Sequence, residues 1–327
     1  MTKTLAELLA ALPQKATVTG DSSAAITAPV VESDADVQPG GVFVARAGLS
    51  VDGHDFIPRA IERGAAAIVG TKPISGLPVP YAQVENAQEA VGWLAAAYHD
   101  FPSRRLTVIG VTGTDGKTTT STLIHALLGK GCGLISTISA DVGDKTLDTG
   151  FHVTTPSAPM IQALLAQMVA NGLQYAVLEM TSHGLAQGRL NGVDIDVAVV
   201  TNVTHEHLDY HKTFEEYRAA KGRMFQMLSQ SYHKPNMEKI SIINADDPSA
   251  DYFAAFRADS CHLRDLQRNG ACCASEIEYQ PGGTRFGLVS VADGRRALFP
   301  VFLPLVGEFQ RLQLSGGAER GAVLSDP

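Results

Sequence analysis

The sequence is poor in cysteine, and its four cysteines show no spacing that would bind a metal. Cys272 and Cys273 are adjacent and cannot easily bridge each other, so we expect reduced thiols in a cytoplasmic protein. Long apolar runs are also missing: none approaches the roughly 20 residues that span a bilayer, so no membrane insertion is expected. The N-terminus begins an amphipathic helix, with leucines at helical spacing between Leu5 and Leu12, rather than a signal peptide.

Basic residues are in deficit, since 26 lysines and arginines stand against 34 aspartates and glutamates. The net charge of −8 argues against nucleic acid as a partner, because proteins that bind nucleic acid favour basic patches. It does not exclude an anionic nucleotide, because a phosphate site is local. The length of 327 residues suggests two domains, and the 45% of hydrophobic residues can fill sizeable cores.

What the chain does contain is a glycine loop, Gly-Val-Thr-Gly-Thr-Asp-Gly-Lys-Thr-Thr-Thr at 110–120, between an apolar strand at 106–111 and an amphipathic helix from 121. Glycines let backbone N–H groups approach phosphate oxygens, and the helix N-terminus adds partial positive charge. Lys117 would reach the outer phosphates, and the Thr118 hydroxyl would hold Mg²⁺. The alternative is a glycine-rich turn without a ligand, since Val111 occupies the position of the first glycine in the strict pattern.

The first part of the chain is predicted to form a small α/β domain. Short strands are expected near 28–32, 41–45 and 65–69, with helices at 56–63 and 87–98. The polar loop residues Ser33, Ser50, Asp52 and His54 are either turn formers or ligand contacts. The sequence Phe-Pro-Ser at 101–103 resembles a linker, so we predict domains at 1–102 and 103–309.

The second domain is predicted from apolar strands that alternate with helices at 158–171 and 214–228. Such a pattern is typical of a parallel sheet covered on both faces. The strands at 175–178, 196–200 and 240–243 end at Glu179, at Thr201 and Asn202, and at Asn244. Ligands bind beyond the carboxyl ends of such strands, so these side chains should lie beside the glycine loop. Glu179 would be a second Mg²⁺ ligand or a carboxylate that caps the next turn.

Two further features have open interpretations. His205, His207 and His211 invite a zinc interpretation, but Leu208 occupies the position where the zincin pattern has glutamate, so no dedicated zinc site is expected. Lys221 lies on a predicted helix and would by default be a solvated lysine.

Seven stretches together resemble the ATP-dependent Mur ligases of peptidoglycan synthesis, most closely the MurE-type branch. The resemblance extends from about residue 25 to residue 309, in the family's order and spacing. The family loop also lacks the first glycine, which accounts for Val111, whereas Asp115 stands where the family usually has Asn. The stretches are residues 113–119, 152–156, 179–185, 201–202, 206–211, 217–221 and 244–247.

The resemblance implies a role for individual residues. The implied catalytic residues are Lys117, Glu179, His207 and Lys221. Glu179, His207 and Thr118 would bind Mg²⁺. Lys221 would be carbamylated to N6-carboxylysine. The implied ATP contacts are Gly113, Thr114, Asp115, Gly116, Lys117, Thr118, Thr119 and Asn244. The implied contacts to the UDP-muramoyl peptide are Val31, Ser33, Leu49, Ser50, Val51, Thr154, Thr155, Thr181, Gln187 and Arg189. The family's Asp-Ser-Arg is Glu32-Ser33-Asp34 here, which leaves uridine recognition open.

The implied chemistry is a two-step acyl transfer. ATP would phosphorylate the terminal carboxylate of UDP-N-acetylmuramoyl-L-alanyl-D-glutamate, and the amine of an amino acid, diaminopimelate or lysine, would attack the acyl phosphate. The alternatives are a two-domain nucleotide- and UDP-sugar-binding protein without catalysis, and a folylpolyglutamate-synthase-like ligase. A monomer is expected, although no sequence feature determines the oligomeric state.

The end of the sequence departs from the family. Its C-terminal Rossmann-like domain, which binds the amino acid, is expected to be absent, so the chain would be truncated and inactive alone. Residues 310–327 match nothing and form an aberrant tail. Back-translation permits codons in which deleting one base after Phe309 restores the helix expected there. We therefore interpret the tail as a frameshift product and predict poor packing from Gln310 onward.

Overall fold

The computed structural model describes residues 2–48, 51–148, 155–204, 206–264, 272–280, 283–292 and 295–303. The predicted behaviour of the tail therefore lies outside the described residues. The chain divides into two compact units: unit 1 is Met1–Ser103, Pro156–Gln167 and Gln187–Val193, and unit 2 is Arg104–Thr155, Met168–Ala186 and Asp194–Pro327. Among the described helices, none combines the length and apolar character that crossing a membrane requires.

Unit 1 is built on a five-stranded sheet. The helices and strands of unit 1 up to residue 103 are β1 (Lys3–Thr4), α1 (Leu5–Leu9), β2 (Ala16–Thr19), β3 (Ala25–Ile26), β4 (Val30–Val31), β5 (Val42–Ala45), α2 (Ile57–Glu62), β6 (Ala67–Gly70), β7 (Tyr81–Val84) and α3 (Ala87–Tyr98). The strand order is β2-β7-β6-β5-β4, with β2–β7 antiparallel and the other pairs parallel. Strands β2 and β7 were not predicted, because each is short and mixes polar with apolar residues.

The two faces of this sheet bury different clusters because side chains alternate along a strand. Val42 and Val44 of β5 pack in the cluster that contains Leu8 of α1 and Leu94 of α3. Phe43, on the opposite face, packs in the cluster of α2. Helices therefore cover both faces, as expected for an α/β domain.

A buried histidine ties the loop after β5 to the end of β6. His54 Nε2 accepts hydrogen bonds from the backbone N–H of Thr71 at 3.0 Å and of Lys72 at 3.3 Å, so Nδ1 carries the proton and donates to Asp52 Oδ1 at 2.6 Å. Hydrogen bonds from Lys72 and His54 hold the pKa of Asp52 well below its usual value. These contacts favour the turn-forming interpretation of Asp52 and His54.

Unit 2 is organised around an eight-stranded sheet. The elements from residue 104 onward are β8 (Thr107–Thr112), α4 (Lys117–Leu128), β9 (Cys132–Ile135), β10 (Ser139–Asp141), β11 (Thr146–Asp148), α5 (Ala158–Ala170), β12 (Tyr175–Glu179), α6 (Ser182–Ala186), β13 (Val197–Val200), α7 (Leu208–His211), α8 (Phe214–Gln230), β14 (Ile240–Asn244), α9 (Ala250–Ala254), β15 (Ser260–Arg264), β16 (Cys272–Gln280), β17 (Gly283–Ala292) and β18 (Arg295–Leu303). The first residues of α5 belong to unit 1.

The strand order of the large sheet is β11-β10-β9-β12-β8-β13-β14-β15. The predicted parallel sheet is confirmed from β9 to β15, since each neighbouring pair there is parallel. Two antiparallel strands, β10 and β11, extend one edge. A separate antiparallel sheet, β16-β17-β18, follows in the chain and was not predicted.

Strand β8 shows why the central strands are continuously apolar. Ile109 and Val111 pack with Ile124 of α4 on one face. Gly110 lies on the other face, where an added Cβ would be 2.9 Å from the sulfur atoms of Met180 and of Met224 in α8. Both faces of the strand are thus covered, and the glycine allows α8 to approach closely.

A buried ion cluster joins β8, β13 and β14 at their amino ends. Asp196, which is fully buried, accepts a hydrogen bond from Val108 N at 2.8 Å, pairs with Lys239 Nζ at 3.0 Å and also pairs with Lys234. Lys239 Nζ donates in addition to the Ile195 carbonyl at 2.7 Å. Burial lowers the pKa of Lys234 despite the attraction of Asp196. The cluster therefore fixes the order of these strands from inside the protein.

Candidate functional site

The glycine loop runs from the end of β8 to the start of α4, as the sequence predicts. Gly116 has a φ of +77° and immediately precedes α4. Gly113 has a φ of +150°, and a Cβ there would lie 1.9 Å from Thr201 Oγ1, so both positions require glycine. Lys117 is the first residue of α4, and its Nζ donates to the Thr114 carbonyl at 2.7 Å. The first N–H groups of a helix have no acceptor within it, so they are available to an anion.

The loop is braced by the residues that follow β13. Thr201 Oγ1 donates to the Asp115 carbonyl at 2.7 Å, and Asn202 Oδ1 accepts from Asp115 N at 3.0 Å. The Asn202 carbonyl accepts from Thr114 N at 2.7 Å. Asn244, at the end of β14, donates to the Thr201 carbonyl at 2.8 Å. The predicted convergence at this edge of the sheet is confirmed, and the N–H groups of Thr114 and Asp115 are already engaged in it.

Oxygen atoms from three elements meet beside the start of α4. Glu179, buried at the end of β12, accepts with Oε2 from Thr118 Oγ1 at 3.0 Å, Thr137 Oγ1 at 3.1 Å and Thr137 N at 3.2 Å. Thr118 and Thr137 hydroxyls are 3.2 Å apart. Mg²⁺ prefers oxygen ligands and keeps few protein contacts, so this donor set fits that ion next to a phosphate.

Lys221 of α8 is buried beneath the glycine loop. Its side chain is 1% exposed, Nζ donates to the Gly113 carbonyl, and Nζ lies 4.4 Å from the ring centroid of Tyr217. Burial, followed by the charge of Lys117, holds the pKa of Lys221 well below its usual value. The default expectation of a solvated lysine is therefore wrong, because α8 packs this face against β8 and β13 rather than presenting it to water.

A cluster of histidine and tyrosine rings includes Tyr217 of the same helix. The ring centroid of His183 lies 5.0 Å from that of His207 and 5.4 Å from that of His211, and His211 lies 5.4 Å from Tyr217. His211 is 5% exposed, and burial together with His183 and Lys221 lowers its pKa to about 4. His211 is therefore neutral at physiological pH.

His207, proposed above as an Mg²⁺ ligand, lies in this cluster with a half-exposed side chain. Its imidazole does not share the oxygen chemistry that Mg²⁺ prefers. Within the described residues, no group of three or more His, Cys, Asp or Glu side chains could hold a metal ion. His205, the third member of the considered zinc set, lies outside the described residues.

The implied substrate contacts fall in both units. In unit 2, Thr155 and Thr181 hydroxyls are 2.8 Å apart. In unit 1, Arg189 Nε donates to Gln187 Oε1 at 2.9 Å. Val31, Ser33 and the exposed Val51 also belong to unit 1. Leu49, Ser50 and Thr154 lie outside the described residues.

Sequence reasoning missed two residues of this site. Thr137 follows β9, so the rule that pointed to Glu179 also applied to it, but its strand was not considered. Tyr217 donates to or accepts from Thr114 Oγ1 at 3.1 Å and places its ring against Lys221. It belongs to the stretch 217–221 that carries the family resemblance, but no role was assigned to it.

Two family models match this chain. The Mur ligase middle domain matches residues 111–312, and the model described as Mur ligase family, catalytic domain, matches residues 35–99. The chain belongs to the Mur ligase family. The resemblance recognised from the motifs is thereby confirmed, and the middle-domain match includes the glycine loop, Glu179 and Lys221.

Named relatives of the Mur ligase family extend well beyond this chain. A UDP-N-acetylmuramoyl-L-alanyl-D-glutamate–2,6-diaminopimelate ligase of Geobacillus thermodenitrificans (strain NG80-2) is 42% identical over 77% of this chain and 51% of the relative. A UDP-N-acetylmuramyl-tripeptide synthetase of Roseiflexus sp. (strain RS-1) is 46% identical over 68% and 45%. A solved structure of a diaminopimelate ligase of the same name as the first is 28% identical, with a TM-score of 0.76, over 91% of this chain and 60% of that one. The chain spans about half the length of the curated relatives it matches.

Proposed function

We propose that this chain supplies the ATP-binding and UDP-substrate-binding parts of an ATP-dependent acid–amino-acid ligase. The ligase would add diaminopimelate or lysine to UDP-N-acetylmuramoyl-L-alanyl-D-glutamate in cytoplasmic peptidoglycan synthesis. The observation that carries this proposal is the convergence of the glycine loop, the Thr118, Thr137 and Glu179 oxygens, and the buried Lys221 at one sheet edge. The names of the relatives support the choice of substrate.

ATP would bind with its outer phosphates over the glycine loop. The N–H groups at the start of α4 and the Lys117 ammonium would hold these phosphates, because both concentrate positive charge there. Thr118 and Glu179 would hold Mg²⁺, which would neutralise part of the negative charge on the phosphoryl group that is transferred. Asn244 remains the proposed adenine contact, and its side-chain hydrogen bond to the Thr201 carbonyl orients it.

The reaction would proceed in two steps. The γ-phosphoryl group of ATP moves to the terminal carboxylate of the substrate, which gives an acyl phosphate and ADP. The amine of the amino acid then attacks the acyl carbon, the amide bond forms, and inorganic phosphate leaves. The Lys117 ammonium would stabilise the negative charge on the phosphoryl group during its transfer.

Binding measurements on the 327-residue chain test the proposed function. We expect Mg²⁺-ATP and UDP-N-acetylmuramoyl-L-alanyl-D-glutamate each to raise the melting temperature, because a ligand that binds only the folded state stabilises it. Folate should have no effect, and its stabilising the chain alone would contradict the muramoyl assignment. Phosphate release that depends on added diaminopimelate or lysine would show ligase activity directly; its absence is expected of this chain alone, so the binding measurements decide the proposal.

Lys221 is expected to carry a carbamate, because only a neutral amine reacts with CO₂ and the lowered pKa keeps more of this amine neutral. After equilibration with ¹³C-labelled bicarbonate, ¹³C NMR should show a carbamate signal of Lys221 near neutral pH, in addition to any signal of the N-terminal amine. The signal should decline as pH falls through the lowered pKa, since protonation removes the nucleophile. Lys221→Met should remove the Lys221 signal, whereas Lys130→Met, at an exposed lysine, should retain it. A spectrum of Lys221→Met identical to that of the unmodified chain would refute the assignment.

A further inference from the structure

Unit 1 contains a polar cavity of about 130 Å³. Its lining includes Gln187 and Arg189, which the resemblance implies as substrate contacts, and also Arg46, which no motif indicated. Its polar lining comes from chain segments that are distant in sequence but belong to the same unit. The cavity is smaller than the roughly 300–1,000 Å³ of a site for a whole small-molecule ligand, so it fits one chemical group of a larger ligand. The polar residues that line it are Glu32, Arg46, Gln88, Ser157, Gln187 and Arg189.

Arg46 is held in place by one of its five N–H donors. It directly follows β5, as Glu32 directly follows β4, and these strands pair in parallel. Arg46 Nε donates to Glu32 Oε2 at 2.6 Å, and the Arg46 side chain remains 35% exposed. Among the described residues, no hydrogen-bond partner occupies its two terminal NH₂ groups. The guanidinium is thus oriented but retains donors for a ligand.

A second guanidinium lines the cavity in a different way. Arg189 Nε donates to the Gln187 side-chain amide at 2.9 Å, and Gln88 Nε2 donates to the Gln187 carbonyl at 2.6 Å. The partner of the Arg189 Nε is therefore neutral, whereas that of Arg46 is a carboxylate. With two guanidiniums against the one Glu32 carboxylate, the charged side chains of the lining have a net positive charge.

The chemistry of this lining is that of an anion site. Guanidinium groups bind carboxylate and phosphate oxygens in a bidentate manner, and Arg is the usual residue for such recognition. We propose that Arg46 is a further substrate-binding residue, which acts beside Gln187 and Arg189 and binds one anionic group of the UDP-muramoyl peptide. The group is the diphosphate or a peptide carboxylate, both of which offer the same oxygen chemistry. The proposal rests on the substrate named under the proposed function.

Calorimetry with Arg46→Met tests this site, because methionine retains an apolar stem and removes the guanidinium. We expect binding of UDP-N-acetylmuramoyl-L-alanyl-D-glutamate to weaken at least about tenfold, as hydrogen bonds to charged groups contribute about 1.5–3 kcal/mol. Binding of Mg²⁺-ATP should be unchanged. Arg46→Lys, which keeps the charge without the planar fork, should lie between Arg46→Met and the unmodified chain.

The matched control is Arg59→Met. Arg59 also pairs with a carboxylate of unit 1, Asp34 at 3.3 Å, but does not line the cavity, so its substitution should leave substrate binding unchanged. UDP alone distinguishes the two anion sources: equal weakening for UDP and the full substrate assigns the diphosphate, and weakening for the full substrate only assigns a carboxylate.

The test separates failure of this inference from failure of the proposed function. If the unmodified chain binds the substrate and a folded Arg46→Met binds it equally well, the anion subsite is refuted and the proposed function stands. If the unmodified chain does not bind the substrate, both are refuted. Thermal unfolding verifies folding, and the Arg46–Glu32 pair is only partly buried, so Arg46→Met should remain folded.

Discussion

Replacing Lys117 by alanine is expected to weaken Mg²⁺-ATP binding by about 10- to 100-fold. Lys117 opens α4 and its Nζ already lies over the loop, 2.7 Å from the Thr114 carbonyl. Its ammonium would contact the outer phosphates, and hydrogen bonds to charged groups contribute about 1.5–3 kcal/mol, which corresponds to about 10- to 100-fold in affinity. Isothermal titration calorimetry on the 327-residue chain measures the change.

Lys130→Ala is the control for the loss of a positive charge. Lys130 is exposed in the turn after α4, outside the loop, so its substitution should change the ATP affinity by less than about twofold, as expected for a screened surface charge. Removing the Lys117 charge also relieves the repulsion of Lys221, so the fold should be retained. An ATP affinity for Lys117→Ala within threefold of the unmodified chain would show that the loop does not bind phosphate through this residue.

Asp196→Ala is expected to destabilise unit 2 by about 3–5 kcal/mol, because it leaves the buried Lys234 and Lys239 without a counter-charge. Lys239 is 1% exposed and cannot reach water without moving β14, and the Val108 N–H also loses its acceptor. The expected loss of stability therefore comes from leaving buried polar groups unpaired, and it exceeds the net contribution of one ion pair. Urea denaturation gives the free energy of unfolding.

The choice of signal matters for this measurement. The only tryptophan, Trp93, lies in α3 of unit 1, so circular dichroism is the appropriate probe for unit 2. Asp251→Ala, at an exposed aspartate in the first turn of α9, should cost no more than about 1 kcal/mol. Equal destabilisation by the two substitutions would contradict the role assigned to the buried ion cluster.

Prediction succeeded where the signal is local. The apolar run at 106–111 followed by glycines and a helical period is sufficient for β8, the loop and α4, because strand, turn and helix each depend on neighbours in sequence. Glu179, Asn202 and Asn244 were found by the rule that parallel strands end at one edge, which converts a local pattern into a tertiary prediction. The bounds 87–98 of α3 were predicted correctly, since Asn86 caps its start.

Prediction failed for elements and sites that form only when segments distant in the sequence come together. Strands β10 and β11 are three residues each, too short to show a period, and they form by extending an existing edge. The Arg46 cavity likewise unites residues from the beginning of the chain with Gln187 and Arg189, and no spacing rule relates them.

The sequence alone indicated the α/β class, the strand–loop–helix arrangement around the glycine loop and the resemblance to the Mur ligase family, because these depend on periodicity, glycine positions and ordered motifs. Only the tertiary structure determined which charged side chains are buried. Lys221 would by default be solvated and Asp196 was assigned only to the apolar strand at 196–200, yet packing removes both side chains from water. A buried charge needs a partner or a shifted pKa, and both come from residues far away in the chain. Burial is therefore the main cause of the lowered pKa of Lys221.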